Sequence, residues 1–317
     1  MAHLLIVYYF ENDAPRIKFN SNSCHNSQQH KQQHTKYIYT SYFLIHSFLI
    51  MGAVHGVYLK YVGLSAISFV GYSMLSPQEA EYKPFPTEQN ATHQAMMLMG
   101  MIPSLILGYS AILNGIIAIL FKAEMGMLII GKDKITGNIP IWSYLIFFPF
   151  HIPTLFYTHL HTWMGKSMHK PPVPVATEVQ PGWWVGGCYG HELDKDWGGV
   201  VDLTVEFPES CQNRTKSYLS SPTWDGVPLS PAGLEAAATF AVEARKDGDV
   251  MVHCAHGRGR STTVMCACLV KAGLYDNWKD AFEKGIKPQR PVCNLNKRMR
   301  ENLAAWQSDF VDGKKGA

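Results

Sequence analysis

The 317-residue sequence predicts two kinds of structure in one chain: an all-α transmembrane region, then an α/β domain with a central sheet flanked by helices. Three observations predict this. Charged side chains occupy about 8% of positions in residues 37–165 and about 24% in residues 166–317, and only the second figure matches a soluble domain. Long uncharged windows fall in the first half. Short β-branched runs alternate with helical runs in the second.

Residues 1–36 are rich in Asn, Ser, Gln and His after an apolar start, and they lack the apolar density of a core, so a disordered segment is predicted there. Residues 37–165 carry three uncharged windows: Tyr37–Leu59 (continued after Lys60 to Leu75), Ala95–Phe121 and Pro140–Gly165. A bilayer core takes ~20 apolar helical residues. Ala95–Phe121 fits best, with small Gly and Ser residues suited to helix contacts in lipid. Pro140, Pro149 and Pro153 interrupt the last window, which reads as a kinked span or an interfacial hairpin, the hairpin being favoured. The basic loop 122–139 places that side in the cytoplasm, and a hairpin keeps the second half there too. The sequence therefore predicts a multi-pass membrane protein with residues 166–317 facing the cytoplasm. Asn90-Ala-Thr92 and Asn213-Arg-Thr215 fit the glycosylation pattern, and Asn90 matters only in a lumenal loop.

In residues 166–317, strands are predicted at 182–187, 199–205, 216–222 and 249–254. Helices are predicted at 234–245, with Ser230 as cap and Pro231 at the first position, and at 261–272, 278–284 and 296–306. The net charge of +3 points to no nucleic-acid partner, and seven scattered cysteines make no disulfide scaffold. Cys266 and Cys268 read as core. Trp183 and Trp184 read as sheet packing.

Residues 252–262 read Val-His-Cys-Ala-His-Gly-Arg-Gly-Arg-Ser-Thr. A cysteine ends an apolar strand, glycines shape a tight loop, and a helix opens at once. Such a loop aims consecutive backbone amides at one point, at the positive end of a helix. The loop residues Ala255, His256, Gly257, Arg258 and Gly259 are thus predicted to bind substrate, with Arg260 clamping two phosphate oxygens. The same field lowers the thiol of Cys254, ordinarily ~8.5. Cys254 is then the nucleophile toward phosphorus, and the Ser261 hydroxyl helps the sulfur leave. His253 is read as positioning the cysteine rather than donating a proton. Asp225, in the polar Pro222-Thr-Trp-Asp-Gly226 loop, is the candidate general acid and base. Asp202, mid-strand, is its weaker rival and reads as structural. No metal site is predicted, because His253, Cys254 and His256 face different ways and no second ligand pair matches them.

His253-Cys254-x5-Arg260-Ser261 resembles the signature of the cysteine-dependent protein tyrosine and dual-specificity phosphatases. The resemblance covers residues 178–311, and it includes Trp224-Asp225-Gly226 and the late Arg290-Pro291 followed by Asn294 and Asn296. It implies a dual-specificity-phosphatase-like sheet in residues 166–317 and the catalytic roles above for Cys254, Arg260 and Asp225. It also implies a phosphocysteine intermediate, with no cofactor. The substrates it implies are phosphotyrosine, phosphoserine or phosphothreonine in proteins. His256 and Arg258 add rim charge similar to that of the phosphoinositide and phosphatidylglycerophosphate phosphatases of the same superfamily, so a phospholipid substrate is the alternative. A phosphate-binding pseudophosphatase scaffold is the third reading.

Overall fold

The computed structural model describes residues 56–76 and 90–313. The segment expected to be disordered, most of the Tyr37–Leu59 window and most of the acidic loop 76–94 lie outside the described residues.

Four helices come first: α1 (Tyr58–Leu75), α2 (Asn90–Ala123), α3 (Ile141–Ile146) and α4 (Phe148–Ser167). Helices α1 and α2 lie together, and Ser65 Oγ donates to the Ala111 carbonyl at 2.7 Å. The Pro140–Gly165 window is two helices meeting at Phe147. Pro140 caps α3 and Pro149 opens α4, positions where a missing N–H costs nothing; only Pro153 lies inside a helix. Among the described residues one segment, Met101–Ala123, is long and apolar enough to cross a membrane. The multi-pass expectation therefore has a single candidate crossing within the described residues. Large apolar side chains such as Phe69, Ile112, Ile119, Leu145 and Phe156 stand exposed on these helices.

The second part is α/β. Its strands are β1 (Ala176–Gln180), β2 (Trp183–Gly186), β3 (Trp197–Thr204), β4 (Thr215–Thr223) and β5 (Val250–His253). They form one sheet in the order β1-β2-β5-β3-β4. Strands β2, β5, β3 and β4 run parallel, and β1 closes one edge antiparallel. Parallel strands are buried on both faces, which explains the unbroken burial of β3 and β5. Helix α5 (Pro231–Ala244) starts where Ser230 Oγ accepts from the Gly233 amide at 3.2 Å. Helix α6 (Arg260–Lys271) is buried from Arg260 to Val270, so its apolar residues need no single stripe. A continuous helical run over 278–289 (α7) widens by an extra residue per turn across Ala281–Ile286. Helix α8 (Lys297–Gln307) is capped by Asn296, whose Oδ1 accepts from the Met299 amide at 2.9 Å.

The core between sheet and helices holds Val185, Val201, Val252, Leu234, Leu269 and Trp306. Cys266 and Cys268 belong to it, as the sequence predicts. A second buried cluster joins Ile117, Phe121, Ile130 and Phe150 from the helical part to Val205, Trp224 and Val227 from the α/β part. Lys132, between α2 and α3, reaches the sheet. It ion-pairs with Asp202 and donates to the Thr204 carbonyl at 2.8 Å and the Thr204 hydroxyl at 2.9 Å.

Candidate active site

Strand β5 ends at His253, and the chain turns through residues 254–259 before α6 begins. Gly257 has φ of +65°, and a Cβ there would fall 2.5 Å from the Gly186 carbonyl carbon. Only glycine satisfies both demands. The carbonyls of residues 255 to 258 are taken by groups outside the loop. Ala255 O accepts from the Cys188 amide at 3.1 Å and Arg258 O from the Asn294 amide at 2.8 Å. Arg290 donates to Gly257 O at 2.8 Å and to His256 O at 3.3 Å. Among the described residues no protein acceptor takes the amides of Ala255 to Gly259. Carbonyls held outward leave N–H groups turned inward, which is the architecture of an anion nest.

Cys254 and Ser261 meet at the floor of this nest, Sγ to Oγ 3.4 Å. Burial pushes the Cys254 thiol up, but the Arg260 guanidinium and the hydrogen bonds from Ser261 outweigh it and hold the thiol below its ordinary value. Arg260 is itself fixed. Its Nη1 donates to the Leu203 carbonyl at 2.9 Å and the Thr223 carbonyl at 2.6 Å, and its Nη2 to Glu206 Oε1 at 2.5 Å. Its buried Nε has no partner. A rigid guanidinium with one N–H unspent suits an oxyanion in the nest. Asp225 Oδ1 lies 3.2 Å from Arg260 Nη2, and this carboxylate keeps partial exposure at 18% while the guanidinium is 1% exposed.

The structure thus brings together Cys254, Arg260, Ser261 and Asp225, with Ala255, His256, Gly257, Arg258 and Gly259 around them. His253 points elsewhere: its Nε2 meets Glu209 Oε2 at 2.6 Å and Asp202 Oδ1 at 3.7 Å. Burial alone would push His253 down, but Glu209 and Asp202 raise it to about 9. Asp202 also accepts from Tyr218 Oη at 2.9 Å and is fully enclosed in this network. One ligand atom each from Asp202, Glu209 and His253 lie within 4.8 Å of one another. The Lys132 ammonium already supplies the cation there.

Sequence reasoning missed four participants. Glu206 anchors Arg260, Glu209 anchors His253, and Lys132 neutralises Asp202; each lies tens of residues from its partner, so no spacing rule reveals it. The fourth is the cover from the helical part. Tyr157 and His161 of α4 pack on His256, ring centroids 5.7 and 4.5 Å apart, and Lys60 of α1 sits 3.8 Å over the Tyr157 ring. Burial first, then neighbouring His161, Arg258 and Lys60, push His256 well below its ordinary range, so His256 is neutral and does not add the rim charge expected from the sequence.

No protein-family model and no curated protein sequence matches the chain. Solved structures do. The chain is similar to human DUSP28 at 20% identity and a TM-score of 0.37, over 43% of this chain and 94% of that one. It is similar to Tk-PTP in its active form at 23% identity and a TM-score of 0.39, over 43% and 99%. It is similar to PTPMT1 in complex with PI(5)P at 18% identity and a TM-score of 0.37, over 45% and 100%. At these scores the residues themselves must carry the functional reading.

Proposed function

We propose that this chain is a phosphomonoester hydrolase that works through a phosphocysteine intermediate. One observation carries the reading: a lowered Cys254 thiol lies beneath a ring of unspent amides, with the unspent Nε of Arg260 beside it. The phosphoryl group occupies the nest, its oxygens held by the amides of residues 255–259 and by Arg260. The Cys254 thiolate attacks phosphorus as the P–O bond to the leaving group breaks, and Asp225 delivers its proton to the departing oxygen. Water then attacks the phosphocysteine while the Asp225 carboxylate takes its proton. The Ser261 hydroxyl stabilises the thiolate that returns, and inorganic phosphate leaves. No step requires a metal. The test is turnover of an aryl phosphate by the full chain, abolished in Cys254→Ser; activity retained in that variant rejects the proposal.

Phosphoproteins are the substrates that the signature loop brings to mind. A second reading, a phosphomonoester on a membrane lipid, is supported by a specific observation. Helix α4, which packs on His256 of the nucleophile loop, and helix α1, whose Lys60 lies over Tyr157, also turn Phe156 and Phe69 outward, so the elements that cover the nest carry an apolar exterior. Faster turnover of a lipid phosphate in vesicles than of a phosphopeptide panel supports that reading, and the reverse order supports the first. In both readings the enzyme is membrane-anchored, with residues 37–165 as the anchor and residues 166–317 as the hydrolase.

A further inference from the structure

Trp224 precedes the acid Asp225 and lies just beyond β4, yet it is fully buried. Its cluster includes aromatic side chains of the helical part. Its indole stacks on Phe121 of α2, centroids 4.3 Å apart and planes at 27°. It also meets Phe150 of α4 edge-on at 5.9 Å and 82°. Its Nε1 donates to the Met125 carbonyl, past the end of α2, at 2.6 Å. One residue further along, Asp225 faces Arg260 at 3.2 Å. One more, and the Gly226 carbonyl accepts from Asn296 Nδ2 at 2.9 Å. The loop is pinned at three consecutive residues, and the first pin belongs to the helical part.

A general acid works only within hydrogen-bond reach of the leaving oxygen, and a displacement of an ångström can forfeit most of its effect. Taking Asp225 as the general acid, we propose that the helical region clamps the acid loop: Phe121 and Phe150 are positioning residues that hold Asp225 over the nest by gripping Trp224. The nucleophile depends less on that region, because Arg290, Cys188 and Asn294 hold the backbone of its loop from within the α/β part and the helical part touches only the His256 ring. Loosening the clamp should therefore impair proton donation and spare attack by sulfur.

Phe121→Ala and Phe150→Ala in the full chain test this by leaving-group dependence. Phenyl phosphate departs as a basic oxygen and needs the acid. Difluoromethylumbelliferyl phosphate departs as a stabilised one and hardly does. A general acid contributes ~10²–10⁴-fold, so the variants should lose ~10-fold or more on phenyl phosphate and less than ~3-fold on the fluorinated substrate. The acid-dependent limb of their pH–rate profile should flatten, and Phe121→Leu should restore much of the loss. In an Asp225→Asn background Phe121→Ala should add no further loss on phenyl phosphate, because both changes remove one contribution. Equal losses on both substrates, or additive losses in the double variant, would overturn the clamp. Should the alanine variants fail to fold, Trp224→Phe keeps an aromatic ring in the clamp while shrinking its stacking surface and removing the bond to Met125; it is read the same way, with smaller changes. Turnover persisting in Cys254→Ser would instead reject the phosphocysteine reading.

Discussion

The two halves of the proposed site are built differently. The nucleophile loop lies between β5 and α6, and its backbone is braced by the α/β part, through Arg290, the Cys188 amide and the Asn294 amide, while Tyr157 and His161 of the helical part pack only on the His256 ring. The acid loop follows β4 and is braced by Phe121, Phe150 and the Met125 carbonyl of the helical part. The lesson concerns where a catalytic unit ends. Residues 166–317 contain every group that touches the substrate in the proposed mechanism. They do not contain the grip on Trp224, the first of the three pins on the acid loop, nor the cation that neutralises the buried Asp202.

Substitutions on either side of this divide should behave unlike one another. The largest effect falls on the nucleophile side. Cys254→Ser should lower aryl phosphate turnover by ~10⁴-fold or more while still binding inorganic phosphate, as nest and guanidinium remain. Loss of phosphate binding along with turnover would mean that the nest depends on the thiolate.

Next comes the tie between the two parts. Lys132 and Asp202 are both buried, their side chains 1% and 0% exposed. Lys132→Met strands a buried carboxylate and should cost about 3–5 kcal/mol in denaturant unfolding. Adding Asp202→Asn should recover much of that cost. A single variant as stable as the parent would show that the tie contributes little and that the two parts are energetically separate.

The third effect is on pH. His253 is raised to about 9 by Glu209 and Asp202, from an ordinary ~6.5. A raised histidine contributes stability that is fully present below ~6.5 and lost as pH climbs through about 9. The unfolding free energy should fall across that window, and His253→Gln should flatten the slope. An unchanged slope in His253→Gln would assign the pH dependence to other groups. The smallest effect is local: Ser230→Ala removes the cap of α5 and should cost ~1 kcal/mol in denaturant unfolding, with aryl phosphate turnover unchanged.

Much of this was legible in the residues. Alternation of apolar strands with capped helices located β2 to β5 and the helices after them, and Ser230-Pro231 marked the start of α5. The antiparallel edge β1 was not, because Ala-Thr-Glu-Val-Gln lacks the apolar density of a buried strand. The nucleophile loop could be read because a nest is local: its strand, glycines, arginine and helix are contiguous. Asp225 could be singled out as a candidate because its loop is short and polar. Its neighbour Trp224 carried no such mark, since nothing in one residue says that a helix a hundred positions earlier will bury it. The prolines of the 140–165 window were read as interruptions, yet Pro140 and Pro149 start helices. Glu206, Glu209 and Lys132 stayed hidden for the reason Trp224 did: ion pairs between distant segments leave no periodicity.

Trapping the covalent intermediate tests the central claim most directly. Asp225→Asn should slow hydrolysis of the phosphocysteine while sparing its formation from a substrate whose leaving group needs no acid, so acid-quenching that variant during turnover of ³²P-labelled difluoromethylumbelliferyl phosphate should leave label on the protein, approaching one per chain. Peptide mapping should place it on the peptide holding Cys254, and Cys254→Ser should carry none. Label on a different residue, or none under turnover, would contradict the account.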